Sequence, residues 1–250
     1  KVSKYRDQQF RYIATLRRAF ARGHSPIVSV DAKKKELIGQ FKNHGAKWSQ
    51  TPTLVNDHDF KSDSSGLAVP YGLLDLLANR GHVFVGLSHD TAPFAVAAIS
   101  KWWEIEGQLR YPKAKKILIL ADGGGSNGSR NRAWKLELQS NVCNRFGLQV
   151  TVAHYPPGTS KYNPIEHRLF SEISKNWAGE PLRDLETMLN FIRTTKTETG
   201  LSVSASLIPG DFPTGIKVSK QQVAAIGARF HPALPLWNYT LTPLQNHAKM

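Results

Sequence analysis

Cysteine is almost missing from this chain: one residue, Cys143, in 250. A lone thiol excludes an intramolecular disulfide framework and fits a reducing cytoplasm, where it reads as a small packing residue. Long apolar runs are also lacking. None approaches the roughly 18 residues that a membrane span needs, so no membrane partner is expected. The nine His form no His-x-x-x-His pattern and no Cys/His zinc spacing occurs. Acids are scarce as well, with 19 Asp+Glu against 33 Lys+Arg and a formal charge of +14. Residues 1–50 hold 12 Lys/Arg and three acids, so 12 − 3 = +9 of that charge lies there. Such an excess suits a polyanionic partner, the alternative being a solvated basic surface without function.

With 40% hydrophobic residues, the chain can bury a full core as one large domain, or as a domain with an appendage. Residues 4–22 carry Tyr5, Phe10, Tyr12, Ile13, Leu16 and Phe20 at helical spacing among five arginines. This predicts a basic amphipathic helix ended by Gly23. The chain opens inside that pattern, which implies further sequence upstream. A strand is expected over residues 26–39 and a loop over 42–66. Strands over 68–77 and 82–87 are joined by the turn at Asn79-Arg80-Gly81. Thr91 is placed to cap a helix. A strand over 116–121, a helix over 130–146 and a strand over 149–155 follow. Asn163-Pro164 then opens a helix running to about residue 177, with Glu166 in its first turn, and Asp184 is placed to cap another through residue 195. Beyond 200 the pattern is weakly periodic and punctuated by Pro and Gly, with a short helix near 219–228.

Early strands close in sequence suggest hairpins, and strands separated by helices suggest parallel crossovers. The expected fold is α/β: a mixed five-stranded sheet with helices on both faces, the ribonuclease H-like layout. Three parts are expected: a basic helix at 1–24, the α/β catalytic domain at 25–200, and a C-terminal extension packed on it at 201–250. In that layout the first and fourth strands are central neighbours. Asp31, in Ile27-Val28-Ser29-Val30-Asp31, would then lie beside Asp122, which ends the strand Ile117–Ala121. Glu166 would approach from the helix after the fifth strand.

Three acids drawn from separate elements suit a metal site for phosphoryl transfer. Two Mg²⁺ ions about 3.5–4 Å apart supply an activated nucleophile, a stabilised leaving oxygen and charge neutralisation. Mg²⁺ prefers carboxylate oxygens and keeps several waters, so an incomplete protein cage is enough. Each acid also has a plainer reading. Asp31 could pair with one of Lys33, Lys34 or Lys35, Asp122 could simply open a tight glycine turn, and Glu166 could serve the helix dipole. That turn, Asp122-Gly-Gly-Gly-Ser-Asn-Gly128, is not a Walker loop, because no Gly-Lys-[Ser/Thr] follows it. Asp90 reads first as a helix cap and second as support for the metal site. Asn127 and Asn163 read as turn formers or site residues, and His167 as a DNA or phosphate contact. Lys33 and Lys35 share a strand face open to phosphate or to solvent. The six Trp read as core, with Trp48, in a polar loop, a candidate for DNA contact.

The Val30-Asp31 strand end, the Asp122–Asn127 turn and the segment Pro156-Pro-Gly-Thr-Ser-Lys-Tyr-Asn-Pro-Ile-Glu166-His resemble the DDE transposases of bacterial insertion sequences. The chain is most similar to the Rhodopirellula-type, or ISAzo-type, family, and more distantly to mariner-like transposases. Residues Ser29 to Gly39, His89-Asp90-Thr91, Trp102-Trp103 and Trp237-Asn238-Tyr239-Thr240 look like that family too, so the resemblance spans essentially the whole chain. It implies Mg²⁺-dependent cleavage of DNA and transfer of the freed 3′-hydroxyl, with Mn²⁺ able to substitute. Asp31, Asp122 and Glu166 would hold the metals, with Asp90, Asn127, Asn163, His167, Lys33, Lys35 and Arg168 in support or on DNA. The implied partners are terminal-repeat and target DNA and a second copy in a synaptic complex, in a bacterial, nucleoid-associated setting. Two features depart from the family. The 166 − 122 = 44 positions from Asp122 to Glu166 exceed the spacing typical of the mariner-like group, and only the basic helix stands where an upstream DNA-binding region is usual. A nuclease without strand transfer, or an inactive DNA-binding fragment, are the rival expectations.

Overall fold

A computed structural model describes residues 5–57, 61–232 and 234–244. Helix α1 (Arg6–Arg22) presents Ile13 and Phe20 to the sheet and its arginines outward. Among the described residues nine strands form one sheet: β1 (Ile27–Ala32), β2 (Glu36–Ile38), β3 (Gly66–Asp75), β4 (Arg80–Gly86), β5 (Lys116–Ala121), β6 (Gln149–His154), β7 (Ser202–Leu207), β8 (Ala228–Phe230) and β9 (Asn238–Leu241). Their spatial order is β7-β4-β3-β1-β5-β6-β9-β8, with β2 paired to β3. The β1/β3/β4 meander is antiparallel, whereas β1, β5 and β6 run parallel through helical crossovers. This is the ribonuclease H-like layout, with the first strand against the expected fourth.

The sheet exceeds the five strands expected. The stretch read as one strand over 26–39 is two, because Lys33-Lys34-Lys35 leaves the sheet between β1 and β2. Three further strands come from beyond residue 200. The β7 strand adds parallel to β4, and β9 adds antiparallel to β6.

One face of the sheet carries helices α2 (Ala92–Trp102) and α4 (Arg132–Leu138). Phe94, Ile99, Trp102, Trp134 and Leu138 pack there on Val28, Val30, Ile117, Ile119, Val150 and Val152. A π-type turn at Trp103–Gly107 joins α2 to the short α3 (Gln108–Arg110). The other face carries α1, α5 (Ser171–Asn176) and α6 (Leu185–Arg193), the last capped by the Asp184 carboxylate on the Thr187 N–H at 2.7 Å. Short α7 (Lys220–Ala224) precedes β8. Trp102, Trp103, Trp134 and Trp177 lie in the core, as does Cys143, whereas Trp48 is fully exposed. Among the described residues no helix is long and apolar enough to cross a membrane.

Two contacts lock this frame. Gln9 on α1 and Asn238 on β9 exchange reciprocal amide hydrogen bonds of 2.7 Å in the interior, and Gln9 also donates to the His154 carbonyl. Opposite them, glycines in β3 and β4 let the helix after β6 lie close to the sheet. A Cβ on Gly72 would stand 2.5 Å from the Phe170 ring, and one on Gly81 2.5 Å from Leu169.

Candidate metal centre at the sheet edge

Pairing of Val30 with Ala121 puts the next residues, Asp31 and Asp122, side by side at the carboxyl ends of two parallel central strands. Strand alternation fixes their face. Val28 and Val30 point to α2 and α4, so Ser29 and Asp31 belong to the opposite face, as do Leu118, Leu120 and Asp122. On that face runs the loop after β6. Asn163 is fully buried and ties three pieces together: its amide donates to an Asp122 oxygen at 3.0 Å, and its carbonyl oxygen accepts from the Ser29 hydroxyl. The Ile165 N–H then donates to the same Ser29 hydroxyl at 3.3 Å. The loop is thereby pinned to β1 and β5, and Glu166 follows one residue later, opening a π-type turn (Glu166–Phe170). Phe170 and Leu169 of that turn occupy the two glycine notches.

The acids sense one another. Burial, then the Asp122 charge, push the Asp31 carboxyl up to about 7, with Glu166 and Asp90 adding further repulsion. Burial also raises Asp122, against the Asn163 hydrogen bond, and raises Glu166, where the Asp122 charge adds to the rise and His167 and Lys33 oppose it. Among the described residues Asp31 accepts a hydrogen bond only from the Ala32 N–H, at 2.9 Å. Among the described residues no lysine pairs with it, so the ion-pair reading of Asp31 fails: Lys33 pairs with Glu36 at 2.6 Å and lies 4.6 Å from the Trp177 ring. Asp31, Asp90 and Asp122 line one cleft of about 480 Å³, closed by Gly123–Gly125 and by Pro156, Pro157 and Gly158.

Asp90 does not cap α2. Thr91 occupies the N-cap position without a side-chain cap bond, and both the Thr91 hydroxyl and one Asp90 oxygen are buried with no partner. The Pro at the start of the helix removes one orphan N–H, which lessens the need for a cap. Asn127 is buried under the glycine turn, donating to the Val30 carbonyl at 3.4 Å while its own carbonyl meets His154 at 2.9 Å. Burial lowers His154 to about 4, against the Trp237 and Asn127 carbonyls that face its two ring nitrogens. His167 is exposed and turned to the Lys161 carbonyl, while Arg168 reaches back to Asn79 at 2.7 Å, so neither faces the cleft. Lys33 lines a neighbouring groove of about 1090 Å³ with Lys34, Lys35, Lys42 and Trp177. Tyr71 was not foreseen. Its hydroxyl is fully buried, unpartnered and close enough to Asp31 and Asp90 for both charges to raise it. A mid-strand tyrosine in Val69-Pro70-Tyr71-Gly72 carries no signal apart from core packing.

Among the described residues no three Asp, Glu, His or Cys side chains converge tightly enough to cage an ion by themselves. The donor set nonetheless fits Mg²⁺ or Mn²⁺: every group is a hard oxygen, Asp31 and Asp122 have no cation beside them among the described residues, and these ions keep part of their hydration shell.

A family model described as the Rhodopirellula transposase DDE domain matches residues 1–243. No curated protein sequence matches the chain. Among solved structures it is similar to the Mos1 transposase in a paired-end complex with the left transposon end, at 12% identity and a TM-score of 0.52. That match covers 77% of this chain and 55% of the other, so the chain spans about half the length of its structural relative. The Mos1 mariner paired-end complex with Mn gives 12% identity over the same shares, with a TM-score of 0.48.

Proposed function

Since this chain belongs to the Rhodopirellula transposase DDE-domain family, we propose that it is the catalytic part of a transposase acting on the DNA ends of its element. The observation that carries this reading is the register that sets Asp31 beside Asp122, with Glu166 brought to the same edge by Asn163. In this reading Asp31, Asp122 and Glu166 would hold the divalent cations. When bound, the ions supply Lewis-acid activation of the attacking oxygen and charge neutralisation of the leaving one. Water attacks a phosphorus in line, the new P–O bond replacing the bond to a 3′-oxygen, which leaves as the 3′-hydroxyl. That hydroxyl then attacks a target phosphodiester in the same geometry, displacing another 3′-oxygen, with no covalent protein–DNA intermediate.

The chain's own residues fix the acids and steer the backbone. Asn163 holds Asp122 in orientation, and the Gly123–Gly125 backbone lets a phosphate come near. The lysine groove beside the cleft supports a path for the duplex, and its charge fits the +14 of the whole chain. Lys33 and Lys35 are the phosphate contacts in this reading; a second copy and target DNA complete the assembly.

The test is incubation of the protein with end-bearing DNA in Mg²⁺, Mn²⁺ or EDTA. Metal-dependent nicks followed by joined products support the reading. Nicks without joining indicate a nuclease, and no metal-dependent cleavage refutes the proposal.

A further inference from the structure

Hydrogen-bonding capacity is almost completely used inside this protein, as is normal for folded chains. Among the described residues, four buried side-chain atoms lack a partner in the chain: the Tyr71 hydroxyl, one Asp90 oxygen, and the Thr91 and Ser126 hydroxyls. They are not scattered. Asp90, Thr91 and Ser126 line one small cavity of about 300 Å³. Asp90 also lines the acid cleft with Asp31 and Asp122. The Tyr71 hydroxyl lies in the field of both Asp31 and Asp90.

Topology explains the gathering. Tyr71 pairs with Ala32 across β1 and β3, and Ala32 packs on the α2 side of the sheet. Asp90 stands two residues before α2 on that same side. Glu166 arrives from the opposite face. The sheet edge holding Asp31 and Asp122 is therefore flanked by one carboxylate from each face.

We propose that Asp90 and the Tyr71 hydroxyl form a second wall of the acid centre, accepting and ordering the water ligands of a divalent cation bound by Asp31 and Asp122. This rests on the metal-dependent reading above. A buried carboxylate oxygen without a donor is costly, and water polarised by a dication is a strong donor to it. The tyrosine hydroxyl has no partner among the described residues and is free to donate to or accept from the same water. Among the described residues no three such side chains form a complete cage, and Mg²⁺ or Mn²⁺ keeps several waters when bound, which leaves ligands for these two groups to order. Asp90 and Tyr71 are thus positioning residues, acting on the ion through its hydration shell.

The test is Mn²⁺ binding to the 250-residue chain without DNA, followed by the paramagnetic resonance of the free ion, together with melting in EDTA. Asp90→Asn is expected to weaken Mn²⁺ affinity by about 10–100-fold, the usual effect of losing a group that orients a metal's ligands. Tyr71→Phe is expected to weaken it several-fold while the EDTA melting temperature holds or rises, because an unpaired buried hydroxyl is removed. A purely structural role would lower the melting temperature and leave affinity alone. Wild-type affinity in Asp90→Asn overturns the proposal. If that variant does not fold, wild-type affinity in Tyr71→Phe overturns it. Failure of the unaltered chain to bind Mn²⁺ overturns the metal-dependent function as well, so the two failures are distinguishable.

Discussion

Replacing Asp31 with Asn is expected to stabilise the metal-free protein, by an amount that depends on pH. Burial and the neighbouring carboxylates raise Asp31 from 3.8 to about 7 in the folded chain. A rise of roughly three units corresponds to about 4 kcal/mol at 1.36 kcal/mol per unit. Salt and relaxation of the carboxylates reduce this to about 2–3 kcal/mol. The folded state holds the Asp31 proton more tightly than the unfolded chain. Its contribution to stability is therefore present below pH ~4, falls as pH rises, and is lost above about 7. Asparagine keeps the volume and an oxygen for the Ala32 N–H, but carries no charge. At pH 8 in EDTA the variant should melt about 4–12 °C above the parent, at 2–4 °C per kcal/mol for a chain of this size. At pH 4 the two should melt together. Calorimetry at pH 4, 6 and 8 measures this. A variant melting at or below the parent at pH 8, or an equal gap at pH 4 and pH 8, would refute the reasoning.

Asp122→Asn and Glu166→Gln should each abolish Mg²⁺-dependent cleavage while leaving circular dichroism and non-specific DNA binding unchanged; cleavage at parental rates by either variant removes that acid from the centre. Gly72→Ala places a Cβ against Phe170 and should destabilise by about 1–3 kcal/mol in urea unfolding. It should also lower cleavage beyond the loss of folded protein, since it displaces the turn carrying Glu166. DNA binding followed by anisotropy should give a log K against log[salt] slope of about −5 to −7 if five to eight phosphates are neutralised, and a flat response would mean that the basic surface does not carry binding.

The strands that build the centre were readable because they are short, apolar and punctuated. Ile117–Ala121 ends at an acid followed by three glycines, and Val150 and Val152 lead into Pro156-Pro157-Gly158. The later strands were hidden for a physical reason. The β7 strand buries only Val203 and Ala205 between exposed or half-buried serines at the sheet margin, and β8 and β9 have three and four residues, too few to establish a period. The break between β1 and β2 is equally quiet, since three lysines extend a strand as readily as they end it. At the site, sequence spacing located Asp31, Asp122 and Glu166 on their elements but misjudged Asp90, whose place before Thr91-Ala92-Pro93 looks like a cap. Only packing shows that Pro93 and the Thr91 backbone start the helix without it. Asn163 was open between turn and site because the residue that shapes the loop also donates to Asp122.

The reciprocal amide pair between Gln9 and Asn238 joins residues 229 positions apart. Such a contact has a consequence for the order of assembly on the ribosome. The β1/β3/β4 meander can form early, because its partners are neighbours in sequence. The seat of α1 is completed in two stages: Ile13 and Phe20 can reach their partners Leu118, Leu120, Ala153 and Tyr155 once β6 has been synthesised, whereas the Gln9 amide waits for Asn238 on β9. A stalled or shortened product lacking β9 would leave the interior Gln9 amide without Asn238 and the β6 edge unpaired together, a combination that favours aggregation or chaperone capture over partial function.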